Sequence, residues 1–188
     1  MKIKWLPYLL NSNTPVEGED LKEHISKKYG PEAGASFGKP GSPMELAGRK
    51  VGIAFNNERR VVRTMKCHQL MQYSDEVRPD VSAQLMDVLF RRYLIQGQDV
   101  SQINVLVDAA VECGLSEEGA RNAVVADKYS TEVMQQVDYA RRILRVSGVP
   151  FVSIESPKIG GKSVSFSGAQ SASVISEQLL DIIEDAQN

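Results

Sequence analysis

Chemistry in a sequence starts with nucleophiles, bases and metal ligands, and this chain has few. Its two cysteines, Cys67 and Cys113, are far apart and form no Cys-x-x-Cys. His24 and His68 are the only histidines, so a His/Cys zinc site would need all four side chains to converge. We expect no metal site. No paired-carboxylate or Ser/His/Asp spacing stands above chance, and no residue is assigned as catalytic. Cys67-His68 is the one local pair with nucleophile chemistry, since a base beside a thiol can generate thiolate. Neighbours on a helix point about 100° apart, however. The preferred reading is a buried structural cysteine beside a hydrogen-bonded histidine, because free cysteine is among the most buried residue types. Cys113, just before a helix-closing Gly114, reads the same way. Both thiols are expected to be unbridged and on different helices.

Two other stretches invite a chemical reading. Gly160-Gly161-Lys162-Ser163 ends like a phosphate-binding loop, but the earlier glycine that loop needs would fall at Ser156. The stretch also lies between two apolar strand-like runs, which makes a hairpin turn the better reading. In Ser147-Gly148-Val149-Pro150-Phe151, a proline opens an apolar strand after a helix. Pro150 removes an N–H at the strand's start, and a buried X-Pro turn is also where cis bonds occur. On chemistry alone both a plain strand-opening proline and a cis proline remain open, the plain one preferred.

The elements that would position these residues follow from periodicity. Lys2–Leu6 alternates, with Ile3 and Trp5 on one face, as in a half-buried strand ended by Pro7. Leu21 to Tyr29 suggests a short helix stopped by Gly30-Pro31, and the glycine- and proline-rich residues 34–43 read as a mobile loop. From about residue 60 to 147 the pattern is helical. Asp80 is placed as the cap of a helix carrying Val81, Leu85, Val88, Leu89 and Tyr93, closed by Gly97. A second runs from Ile103 to Cys113, closed by Gly114, and Ser116 caps a third with Glu117 and Glu118 in its first turn. Tyr129, Val133, Val137, Ala140 and Leu144 form one stripe of a helix expected to end at Gly148. Phe151–Ile154 and the alternating Val164 and Phe166 then predict an antiparallel hairpin around Pro157 and Gly160-Gly161. Ser173 begins a last helix burying Ile175, Leu179, Ile182 and Ile183. A first strand separated from a terminal ββα unit by a long helical stretch suggests a small sheet carrying a helical subdomain.

Composition narrows the function classes. The 22 basic and 24 acidic side chains give a net charge of −2, which supplies no general attraction to nucleic acid or to an anionic membrane surface. No apolar run approaches bilayer length. The opening ten residues are too short and too interrupted by Pro7 for a secretory leader. These features lead us to expect a cytoplasmic protein with neither nucleic-acid nor membrane partners.

Taken in order, these pieces resemble the DsbA-like branch of the thioredoxin superfamily, and within it the FrnE-like oxidoreductases, relatives of the 2-hydroxychromene-2-carboxylate isomerases and kappa-class glutathione transferases. The resemblance rests on Lys4-Trp5-Leu6-Pro7-Tyr8 with Leu10-Asn11 and Pro15-Val16-Glu17-Gly18, on Gly52-Ile53-Ala54-Phe55-Asn56, and on Arg63-Thr64 with Cys67-His68. It continues through Ser147-Gly148-Val149-Pro150-Phe151, similar to the family's cis-proline loop, and Ser167-Gly168-Ala169-Gln170 before the final helix. Each piece is weak alone, and five in the right order are strong. The implied fold is α/β, a thioredoxin-like sheet formed by residues 1–20 and 148–188 with a mainly helical insertion at 21–147. The implied substrate-binding residues are Gly148, Val149 and Pro150, with Thr64 and His68 on the insertion side.

The family opens with a strand, a Cys-Pro-x-Cys or related turn, and a helix, all ahead of the strand placed here at Lys2. Those pieces need roughly 25–35 residues by typical element lengths, and they have no counterpart in this chain. The expectation is an N-terminally incomplete sequence or a redox-dead relative. Two functional readings follow from the resemblance. One is a thiol–disulfide oxidoreductase, or a glutathione-dependent isomerase or transferase, without its catalytic turn. The other is a binding module whose cis-proline cleft takes peptide backbone or a small thiol. No cofactor is implied beyond glutathione in the second group of relatives. Partners would be protein or peptide thiols and disulfides, and a second copy pairing through the N-terminal strand.

Overall fold

A computed structural model describes residues 3–155 and 163–185, which divide into two compact units, 1–136 and 137–188. In the first unit, a minimal antiparallel pair joins β1 (Glu19–Asp20) to β2 (Arg60–Val61), with Glu19 opposite Val61. Between them come α1 (Leu21–Tyr29), α2 (Pro31–Ser36) and α3 (Pro43–Lys50). After β2 follow α4 (Met65–Val77), α5 (Ser82–Phe90), one π-helical turn at Arg91–Ile95, α6 (Ile103–Glu112) and α7 (Glu117–Val125). Helix α8 (Ser130–Arg142) runs across the division, and the second unit continues with β3 (Phe151–Glu155), β4 (Ser163–Ser167) and α9 (Ala172–Asp185).

The core of the first unit lies among α4, α5, α6 and α7, which pack on one another. Leu70, Leu85 and Leu106 are fully buried there, with Val107, Ala109, Ala110, Ala120 and Val124 filling the spaces between helices. Each such leucine contributes about 1.5–3 kcal/mol by leaving water. Several polar groups inside find partners: Gln69 Nε2 donates to Asp127 Oδ1 at 2.7 Å, Gln72 Nε2 to Gln136 Oε1 at 3.0 Å, and the Ser74 and Ser82 hydroxyls meet at 3.0 Å, while Gln69 Oε1 is buried without one.

Several helix ends follow from residue chemistry as the sequence suggests. Ser116 Oγ accepts the Gly119 N–H at 3.3 Å, the expected cap of α7. Gly114, at φ +78°, closes α6, with Leu115 N–H donating to Ala110 C=O and Gly114 N–H to Val111 C=O. That pair of bonds is a Schellman ending, which needs a left-handed residue where Gly has no steric penalty.

Other expectations are corrected. Residues 3–6 form no strand: no segment among the described residues pairs with them, Ile3 and Leu6 are exposed, and Trp5 instead meets Phe90 edge-on, ring centroids 6.0 Å apart. An alternating pattern specifies a strand only where a ladder partner exists; Lys2 lies outside the described residues. The loop expected at 34–43 is shorter, 37–42, because α2 runs on to Ser36 and α3 begins at Pro43; Pro31 and Pro43 each sit in a first helical turn, where a missing N–H costs nothing. Gly34 is no breaker there; a Cβ on it would fall 1.8 Å from Ser26 Oγ, so it permits the close crossing of α1 and α2. Asp80 caps nothing and instead pairs with Arg78 at 2.7 Å, while Val81 occupies the cap of α5. That helix widens at its end, where Gln96 N–H reaches back five residues to Arg91 C=O. Helix α8 stops at Arg142, short of Leu144 and Gly148, and Arg145 adopts φ +52° beyond it.

In the second unit, β3 and β4 pair antiparallel as the sequence predicts, Phe151 opposite Ser167 and Glu155 opposite Ser163. Pro157, Gly160, Gly161 and Lys162 lie outside the described residues, while Ser163 opens β4. The last helix begins at Ala172, one residue before the expected Ser173.

Candidate functional site

In the first unit, Thr64 and His68 do come together. Thr64 occupies the cap position of α4, but its hydroxyl makes no capping bond; Oγ1 lies 3.5 Å from Nε2 of His68, one turn further on. Burial pushes the His68 pKa down to about 4, against a smaller opposing effect of a hydrogen bond to the Tyr8 main chain. His68 is therefore a neutral imidazole at pH 7, able to exchange hydrogen bonds but carrying no charge to stabilise a thiolate. Sequence reasoning missed Tyr8, whose role is played by its main chain, which residue type does not announce.

Cys67 turns away from its neighbour. Its Sγ donates to Val100 C=O at 3.2 Å against the helical core. Burial pushes this thiol up to about 12, a main-chain hydrogen bond opposes the shift, and the Asp99 charge adds to it. At pH 7 this thiol is therefore protonated. Cys113 is buried at the C-terminal cap of α6, and burial followed by the adjacent Glu112 charge raises its pKa too. Both cysteines are free thiols. Cys113 sits at a helix C-terminus, which disfavours an anion, whereas Cys67 lies in the first turn of α4, where the dipole favours one but burial outweighs it.

In the second unit, Gly148, Val149 and Pro150 lead into β3. The Val149–Pro150 bond is cis, and Val149 is exposed. Pro150 C=O accepts the Gly168 N–H at 2.9 Å, extending the β3–β4 ladder by one bond. Among the described residues, the Val149 N–H and C=O have no hydrogen-bond partner. An exposed, unpaired main-chain unit held at the end of a sheet can pair with extended peptide backbone.

No group of three or more His, Cys, Asp or Glu side chains among the described residues could hold a metal ion. No described helix is long and apolar enough to cross a membrane.

The family model described as "DSBA-like thioredoxin domain" matches residues 2–180. No curated protein matches the chain. Among solved structures, the chain is similar to a probable DsbA oxidoreductase from Streptomyces coelicolor, at 25% identity and a TM-score of 0.70, over 87% of this chain and 67% of that one. The chain belongs to the DSBA-like thioredoxin domain family and has its α/β, thioredoxin-like fold.

Proposed function

We propose that this chain serves thiol–disulfide chemistry in the FrnE-like branch of its family, binding thiol or disulfide substrates at the Gly148–Val149–Pro150 turn without itself supplying the attacking sulfur. Family membership over residues 2–180 carries the reading, supported by the likeness to a probable DsbA oxidoreductase. Disulfide exchange begins with a thiolate attacking one sulfur of a disulfide. Neither Cys67 nor Cys113 can supply one readily near neutral pH, since burial opposes ionisation of both. The chain as given is therefore inactive in exchange, and its role is substrate recognition. In this reading residues 1–20 and 148–188 are the thioredoxin-like part, 21–147 the helical insertion, and Thr64 and His68 polar contacts for substrate. Protein or peptide thiols and disulfides are the partners, with glutathione as the small-thiol alternative that an isomerase- or transferase-like relative would use. The compartment is cytoplasmic, and the exposed residues 3–6 are the surface for a second copy, which light scattering would reveal as a homodimer.

The unpartnered Val149 main chain favours peptide recognition over a purely small-molecule role, since extended backbone satisfies an N–H and a C=O together. The test is an amide NMR titration of the full chain with reduced glutathione, oxidised glutathione and a disulfide-linked peptide. Saturable shifts at Gly148, Val149, Phe151 and Gly168 are expected with the peptide. Their absence with all three ligands overturns the proposal.

A further inference from the structure

A cavity of about 390 Å³ lies within the first unit beside α3, and none of the residues discussed above as substrate contacts lines it. Small-ligand pockets run from about 300 to 1,000 Å³. Met44, Ile53 and Phe55 give it an apolar wall, while Ser42, Glu45 and Arg49 supply the polar groups.

Those polar groups depart from what their sequence spacing dictates. Ser42-x-x-Glu45 at a helix start is a capping box, in which the serine hydroxyl takes the Glu N–H and the Glu carboxylate returns to the serine N–H. Neither bond forms here. Ser42 N–H donates to Lys39 C=O at 3.0 Å, and the Ser42 hydroxyl is buried with no partner. Glu45 Oε2 accepts the Gly41 N–H at 3.1 Å, and Oε1 accepts from Arg49 Nε at 2.9 Å and Nη2 at 2.5 Å. The Gly41 amide, then Arg49, hold the Glu45 carboxyl below the usual range, so the pair is a carboxylate and a guanidinium side by side.

Valence remains on both partners. A carboxylate offers about four acceptor sites and a guanidinium about five donors, so Oε2 keeps an acceptor and Arg49 keeps both Nη1 donors and one at Nη2. A ligand carrying a single charge would satisfy one partner and be repelled by the other. A ligand carrying both charges on one carbon atom matches two opposite groups that already touch. The buried Ser42 hydroxyl then gains the acceptor it lacks, and the apolar wall takes the rest of the ligand.

We propose that this cavity binds a free apolar α-amino acid, with its ammonium on Glu45, its carboxylate on Arg49 and Ser42, and its side chain against Met44, Ile53 and Phe55. The test is an amide NMR titration of the full chain with L-methionine, N-acetyl-L-methionine and L-methioninamide. Saturable shifts confined to residues 38–57 are expected with methionine, and each blocked analogue should bind at least about tenfold more weakly, the loss of one charged contact. Glu45→Gln should weaken methionine about tenfold, and Ala54→Trp, on an exposed cavity residue, should abolish binding with the rest of the spectrum intact. Binding of the amide as tight as the free acid would assign the site to a peptide N-terminus and overturn the proposal. So would the absence of saturable shifts up to about 20 mM methionine, a concentration well above a millimolar Kd.

Discussion

The helical core of the first unit and the hairpin-and-helix of the second draw on similar apolar residues and use them differently. Leu70, Leu85 and Leu106 are wholly removed from water among α4 to α7. In the second unit Phe151, Val152, Ile154, Val164 and Phe166 are half-buried, and α9 leaves Leu180 and Ile183 exposed. Two strands alone make a marginal sheet, whereas packed helices bury their faces against several neighbours. The contrast separates two jobs. Packing free energy concentrates in the helices, while the hairpin end leaves Val149 exposed, with its main-chain groups unpaired among the described residues.

Leu85→Ala should cost about 2–5 kcal/mol in urea unfolding, since it removes a fully buried side chain and leaves a cavity. Ile183→Ala should change stability by no more than about 0.5 kcal/mol, as exposed substitutions do. Equal losses would show that the two units are packed alike.

Acid should also act on the units unequally, because residues 137–188 contain no histidine. His68 has a pKa of about 4 in the folded chain against 6.5 for a free imidazole. Between those values the unfolded chain binds the extra proton, so stability is fully present above pH 6.5 and falls as the pH drops toward 4. The loss is on the order of 3 kcal/mol. Urea unfolding of the chain and of His68→Gln across that range measures it. Stability–pH curves of equal slope would show that His68 is not held neutral by burial.

The smallest effect concerns the α7 cap. Ser116→Ala should cost about 1 kcal/mol. Asp80→Ala, which removes an exposed ion pair with Arg78 and no cap, should shift the urea midpoint less. A larger shift for Asp80 would restore it as a helix-stabilising residue.

This pair shows what the sequence could and could not reveal. Ser116, Gly114 and the β3–β4 alternation act through neighbouring residues, so local spacing was enough to read them. Asp80 had the right chemistry for a cap, but Arg78 two residues away competed for its carboxylate. Lys2–Leu6 had the right period for a strand, and period does not reveal whether a ladder partner exists. Thr64 and His68 are singled out by the family resemblance alone; their approach to 3.5 Å follows from lying one helical turn apart at the start of α4. Tyr8's main-chain bond to His68 and the turned-out capping box at Ser42 and Glu45 depend on backbone paths that residue types do not encode. The family was legible because it rests on the order of motifs.

On the proposed reading, this member of the DSBA-like thioredoxin domain family supplies no attacking sulfur of its own. Reduction of insulin by dithiothreitol, with and without the purified chain, tests it most directly. The same rate is expected in both, because burial keeps Cys67, with a pKa of about 12, and Cys113 protonated. Acceleration well above the uncatalysed rate, lost on Cys67→Ser or Cys113→Ser, would contradict it.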